Sequence, residues 1–318
     1  MTQKYPRKKV NMNYIINTGC SYGVMFRSMK EFTKGNDTNF QVIDLHCDSH
    51  GAEYQKRSVI YVVSKLLLKG ILPKNIFVII EWSQPNRLLT EIPQDLCEDI
   101  INHDDLEGTF ILDNKFNLIE QSNDYIVKYK HLNIIAGDRV YTNPDVDDLT
   151  YFNNKDIEWY LSEYKKNCHI SHKPIDRYES YLQNIVDTQS FLSVKGIDNI
   201  SFKMNNQSPF IAMQSKSDYC KQLYQMIDFD KFVFHGWFGG IDEFAMERFG
   251  NIAYLSCANE WDIPEDGNMM EFGNHPHDSV YIDFFEEYIY PKGQKYFGEL
   301  HFEYSDRWSK SKHNAIRL

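Results

Sequence analysis

The stretch Ile76–Glu81, reading Ile-Phe-Val-Ile-Ile-Glu, constrains the fold more than any other segment of this chain. It is nearly all apolar, with no alternation of wet and dry positions. A strand with one solvated face alternates; one apolar on both sides must be covered on both, as at the centre of a parallel sheet. Parallel neighbours need long crossovers, usually helical, and the flanking sequence offers them. Asn13–Asn17 reads as a first strand, followed by a helix from about Gly23 to Phe32. Phe40–Leu45 reads as a second strand. Glu53–Lys69 reads as a helix with Val59, Val62, Val63, Leu66 and Leu67 on its inner face. Further on, Tyr178–Lys195 carries Leu182, Ile185, Val186, Gln189 and Leu192 at helical spacing; Gly196 closes it and Ile200–Met204 follows as a strand. Lys231–His235 reads as a candidate fifth strand. The expected architecture is a three-layer α/β/α sandwich on a mostly parallel five-stranded sheet, doubly wound and flavodoxin-like. In such sheets ligands bind in a crevice at the carboxyl ends of the strands.

Residues 88–176 do not fit this minimal core and read as an insertion after the third strand, within one domain spanning 1–318. A hairpin is expected over Thr109–Ile119, turning at Asp113-Asn114-Lys115, with a short helix over Lys155–Lys166. Placed after the central strand, the insertion would sit over the carboxyl edge as a lid or docking surface. Tyr151, Trp159 and Tyr160 would suit carbohydrate stacking or a protein interface, and equally an ordinary core for the insertion. Residues 300–318 read as a polar tail.

With a net charge of −11 the chain is a poor general binder of nucleic acid or anionic membrane. Its basic residues gather at the two ends, Lys4, Arg7, Lys8 and Lys9 against Arg307, Lys310, Lys312 and Arg317. They read as solvated tails or as docking points for another copy or another protein. Six scattered cysteines without a Cys-x-x-Cys pair read as reduced thiols. The polar start of the chain shows no signal peptide, and no stretch approaches a membrane span, so synthesis in the cytoplasm is expected.

The chemistry-bearing segments stand at the two ends. Tyr14-Ile-Ile-Asn-Thr-Gly-Cys-Ser-Tyr-Gly23 runs an apolar segment straight into Gly19-Cys20-Ser21, putting a hydroxyl where a strand breaks toward a helix. Gly273-Asn274-His275-Pro276 leads into an amphipathic helix from Asp278 to Tyr290. Ser21 and His275 could be the two halves of a nucleophile–base pair; Gly-Cys-Ser could also be only a turn.

Between them lie Asp48-Ser-His-Gly-Ala-Glu-Tyr54, which leads into the first long helix, and Asn75 to Arg87 around the apolar strand. In this order the blocks resemble the SGNH (GDSL-like) hydrolase superfamily, particularly its divergent bacteriophage and viral members. The resemblance implies Ser21 as nucleophile and Gly51 as an oxyanion amide. The block Gly-x-Asn is replaced by Trp82-Ser83-Gln84, so Gln84, with Ser83 or Asn86 as substitutes, would supply the oxyanion amide. The block Asp-x-x-His reads Phe272-Gly-Asn-His275, so Glu271, Asp278 or a backbone carbonyl would orient the imidazole. The activity implied is hydrolysis of an ester or an acylated glycan with no metal or organic cofactor. The same departures fit a degenerate member serving as a neck, ring or tail component of a virion, docked through the termini and the insertion to other copies or other virion proteins.

Other clusters carry less. Cys168-His169-Ile-Ser-His172 has no second set to complete a tetrahedral metal site. His275-Pro-His277-Asp278 reads better as a stiffened helix entry, with Asp278 or Ser279 near the start as cap. Phe234-His-Gly-Trp-Phe-Gly-Gly240 lacks the spacing and lysine of a phosphate loop. Cys20 is read as a packed neighbour of Ser21.

Overall fold

A computed structural model describes residues 12–19, 26, 29–30, 33–34, 38–47, 50–85, 87, 89–101, 106–129, 132–135, 139–142, 155–171, 174–204, 217–249, 276 and 278–302. The central sheet has six strands in the order β11-β4-β1-β3-β6-β7, where β1 is Asn13–Thr18, β3 Phe40–Asp44, β4 Ile76–Trp82, β6 Thr109–Leu112, β7 Leu118–Ser122 and β11 Asp198–Lys203. The first four are parallel, and all seven residues of β4 are buried, as its apolar run requires.

The sheet departs from the expected mostly parallel five strands in two ways. First, the predicted hairpin joins the main sheet: β6 pairs antiparallel with β3, and β7 with β6, making the sheet mixed. Asp113 fixes its turn, its Oδ1 accepting from the amides of Lys115 at 2.8 Å and Asn117 at 2.9 Å. The exposed edge of β3 is thereby covered by a local strand pair, at little chain cost. Second, Lys231–His235 is not a full strand. A 3-10 turn occupies Phe229–Lys231, and a single parallel bridge joins Phe232 to Ser201 on β11. The chain then turns back on itself, His235 and Gly239 exchanging both backbone hydrogen bonds at 3.0 Å.

Side chains alternate across the parallel strands into two clusters. Ile15, Phe40, Val42, Phe77, Ile79, Ile200 and Phe202 join one. Residues of α6 (Ile241–Phe249), α7 (Asp278–Phe284) and α8 (Tyr290–Phe297) belong to it as well. Ile16, Ile43, Ile76, Val78, Ile80 and Trp82 join the other. There they meet α1 (Ala52–Leu68), α4 (Pro174–Lys195) and α5 (Asp218–Met226). The predicted helix Asp278–Tyr290 runs on to Phe297 through a π turn at Phe285–Ile289. Pro291, with no N–H to return to the preceding turn, lies two residues beyond it. Gly293 lets α8 approach the sheet: a Cβ there would lie 2.6 Å from the Phe77 ring. Of the helix expected at Gly23–Phe32, only Phe26, Met29 and Lys30 are described; they are helical, and Phe26 and Met29 are buried.

The segment 88–176 also builds a second sheet, β5 (Thr90–Glu91), β10 (Arg139–Thr142), β9 (Leu132–Ile135) and β8 (Val127–Tyr129), with α2 (Gln94–Ile101) and α3 (Lys155–Ser171). Ile92, Ile100, Leu132, Ile134, Val140, Ile157 and Leu161 form its own small core. Trp159 is exposed, whereas the Tyr160 hydroxyl donates to the Glu91 carbonyl at 3.1 Å. A last short pair joins β2 (Thr33–Lys34) to β12 (His301–Phe302).

Candidate active site

Each parallel strand ends in polar residues that stay buried. Asn17 and Thr18 close β1, Asp44 closes β3, Glu81 precedes the last residue of β4 and Lys203 closes β11. The register brings Asn17 level with both Asp44 and Ile79. Asn17 Nδ2 donates to Asp44 Oδ1 at 2.8 Å, and the other oxygen of that carboxylate accepts from His46 Nδ1 at 2.8 Å. Lys128 of β8 donates its Nζ to the His46 carbonyl, tying the second sheet to this corner. Gly19 continues β1 across from Glu81, where a Cβ would come within 2.5 Å of the Glu81 carboxylate. Only glycine leaves room for that buried acid. On the other face, Thr18 Oγ1 lies 3.2 Å from Ser58 Oγ of α1. Tyr54 donates to the Leu45 carbonyl at 2.8 Å, and burial, then the charges of Cys47 and Asp44, push its phenol well above the ordinary range.

The three loops leaving β1, β3 and β4 interlock. The Gly19 carbonyl accepts from the Cys47 amide at 3.0 Å. Gly51, the residue before α1, lies against the loop after β4: a Cβ on Gly51 would sit 1.9 Å from the Arg87 carbonyl oxygen. That loop turns back on itself through Arg87 N–H donating to the Gln84 carbonyl at 3.3 Å. A small cleft of about 10 Å³ opens here between Ala52 and Glu53, Pro85 and Arg87, and Arg177, Ser180, Tyr181 and Asn184 of α4. At the same edge Gln55 and Ser83 are buried with side-chain polar atoms that find no partner.

A larger cavity, about 390 Å³, lies at the opposite edge, where α4 ends and β11 begins. Its Gln189 amide is consumed by the backbone of Asp228, donating to its carbonyl at 3.0 Å and accepting from its N–H at 2.9 Å. At the carboxyl edge β4 and β3 flank β1, the position at which open α/β sheets commonly bind ligands.

Of the residues expected to form the site, Gly51 and Gln84 fall together at this edge, Gly51 buried and Gln84 half-buried. Asp278 begins α7. Ser21, Glu271 and His275 lie outside the described residues, as do Cys20 and Asn86. Sequence reading missed the Asn17–Asp44–His46 chain, Glu81 and Lys203. A partial signal was available, since the apolar stretches of β3 and β4 run into an acid, Asp44 and Glu81; the pairing of Asp44 with Asn17 and His46 is written in neither run. Cys47 and Cys220 are buried. Among the described residues no cluster of three or more acidic, His or Cys side chains could hold a metal, and no helix is long and apolar enough to cross a membrane.

Set against known proteins, the chain matches no family model, no curated sequence and no solved structure.

Proposed function

We propose that the chain is an SGNH-like serine hydrolase acting on an ester, such as an O-acylated glycan, encoded by a phage or virus. The helices buried against either face of the sheet would be the outer layers of its α/β/α sandwich. Support comes chiefly from the strand order β3-β1-β4-β11, which sets the ends of the first three motif-bearing segments side by side. Gly19, two residues ahead of Ser21, bonds to the loop after β3, and Gly51 abuts the loop that carries Gln84. In the proposed reaction Ser21 Oγ attacks the ester carbonyl as His275, oriented by Glu271 or Asp278, takes its proton. The amides of Ser21 and Gly51, with Gln84, hold the oxyanion. His275 returns the proton to the departing alcohol, and water then frees the acyl group by the same steps in reverse order. Hydrolysis of a short-chain aryl ester should fall by roughly a thousandfold or more in Ser21→Ala, without loss of fold. Undiminished turnover in that variant would remove Ser21 from the mechanism.

The second reading, a catalytically degenerate virion component, draws on how closed this edge is: Glu81, Trp82 and Ser83 are all buried. Light scattering on the same samples separates the two. A ring-forming protein without esterase activity is a structural part; a monomer or dimer with serine-dependent turnover is an enzyme.

A further inference from the structure

We infer that the cleft between α1 and α4 is an anion subsite, so that the molecule recognised at this edge carries a carboxylate or a phosphate. Its role in substrate choice rests on the hydrolase reading; its binding does not. Arg87, from the loop after β4, and Arg177, from the first turn of α4, both line the cleft. Arg87 Nη1 and Arg177 Nε are shut away from solvent with no hydrogen-bond partner. A buried charged donor left unmade is costly, and native proteins rarely leave two together.

The carboxylate in the cleft wall does not answer them in full. Glu53 Oε1 is held by Arg57, accepting from Nε at 3.0 Å and from Nη2 at 2.6 Å. With Glu53 Oε1 already paired to Arg57, the cleft holds two arginines against one carboxylate that is itself in an ion pair. The amino end of α1 adds its partial positive charge, and Ala52 and Glu53 of its first turn form one wall. The opening takes about one water-sized group, enough for one oxygen of an anion whose remainder stays in the mouth. Two planar guanidinium groups lining one cleft suit the paired oxygens of a carboxylate or phosphate.

The position ties this subsite to the proposed chemistry. Ala52 and Pro85 directly follow Gly51 and Gln84, the expected oxyanion donors. A substrate seated with its ester carbonyl there would present a nearby acidic group to the arginines, which points to esters on acidic rather than neutral sugars.

Inorganic phosphate and, separately, acetate titrated into the full chain, read by calorimetry and by melting temperature, test this directly. The wild type should bind at least one of them, and the tighter of the two identifies the group. Arg177→Gln and Arg87→Gln should each weaken binding roughly tenfold or more, with Arg177→Lys retaining part of it. Should Arg87→Gln fail to fold, the two Arg177 variants decide. Absence of binding by the wild type, or wild-type affinity in Arg177→Gln, overturns the subsite. Ser21→Ala should bind as the wild type does. Arginine-dependent binding without any ester turnover would sink the hydrolase and keep the subsite; turnover without anion binding would do the reverse.

Discussion

Strand β11 begins and ends on a charged residue, and the two ends treat charge in opposite ways. At its start, Asp198 accepts from Lys295 Nζ and, at 2.7 Å, from the Tyr296 hydroxyl. These partners, Lys295 first, hold its carboxyl below the usual aspartate range. At its finish, Lys203 is only 2% exposed, and burial lowers its ammonium from 10.5 to about 7 against the pull of Glu243. One end is arranged to favour the ionised form; the other keeps a charge where solvation is poor. Asp44 and Glu81 are likewise fully buried at the carboxyl edge, Asp44 with Asn17 and His46 as partners. Burying ionisable groups costs stability, and three of them, Asp44, Glu81 and Lys203, are buried at this edge.

The sharpest way to break the contrast is through packing at the carboxyl edge. Gly51 has an ordinary backbone conformation, so its need for glycine is purely one of space. Gly51→Ala would drive a methyl into the Arg87 carbonyl, and the clash is with backbone, which cannot swing aside. A loss of about 3 kcal/mol or more is expected, seen as a lower urea midpoint. A wild-type midpoint would mean the loops after β3 and β4 do not interlock as described.

Lys203 gives the next largest effect. Above its ordinary value of 10.5 the amine is neutral in both states. As the pH falls from there toward about 7, the unfolded chain takes up the proton and the folded one does not, so stability drops. Below about 7 both are charged and the penalty stays constant. Lys203→Met should therefore raise stability at pH 7 by roughly 1–3 kcal/mol and flatten its rise toward alkaline pH. Urea titrations at about pH 7 and about pH 9.5, on either side of most of that change, measure both. A less stable variant at neutral pH would show that Lys203 is held there by favourable contacts, and the contrast along β11 would fail.

The parts of this molecule legible in the sequence are those set by short-range pattern. The all-apolar run of β4, the spacing in α1 and α4, and the Asp113 turn each follow from residues a few positions apart. Gly196, with φ +66°, ends α4 where its missing side chain says it should. The pairing of β6 with β3 was not legible, because a hairpin's local signal does not say which sheet edge it will cover. Lys231–His235 misled for a related reason: its alternation of Phe and Val suits a strand, but only a single bridge, at Phe232, joins it to the sheet. Chain order was enough to expect Gly51 and Gln84 at the carboxyl ends of their strands, where they lie. The Asn17–Asp44–His46 chain was not legible, since it depends on the register of two strands separated by a whole crossover.

The smallest effect tests the other end of β11. Asp198 is half in water, so its ion pair with Lys295 is screened and should contribute less than about 1 kcal/mol. Its folded carboxyl lies below the ordinary 3.8, so the stabilisation is present in full above that value and fades as the pH falls through the folded one. Asp198→Asn should melt slightly lower than the wild type at neutral pH and converge with it in acid. The Tyr296 hydroxyl can still donate to the asparagine oxygen, which keeps the loss small and leaves the stacking of Tyr296 on Phe77, 4.8 Å between ring centres, in place. If the variant were instead more stable at neutral pH, Asp198 would be one more charge held at a cost. The two ends of β11 would then no longer differ in kind.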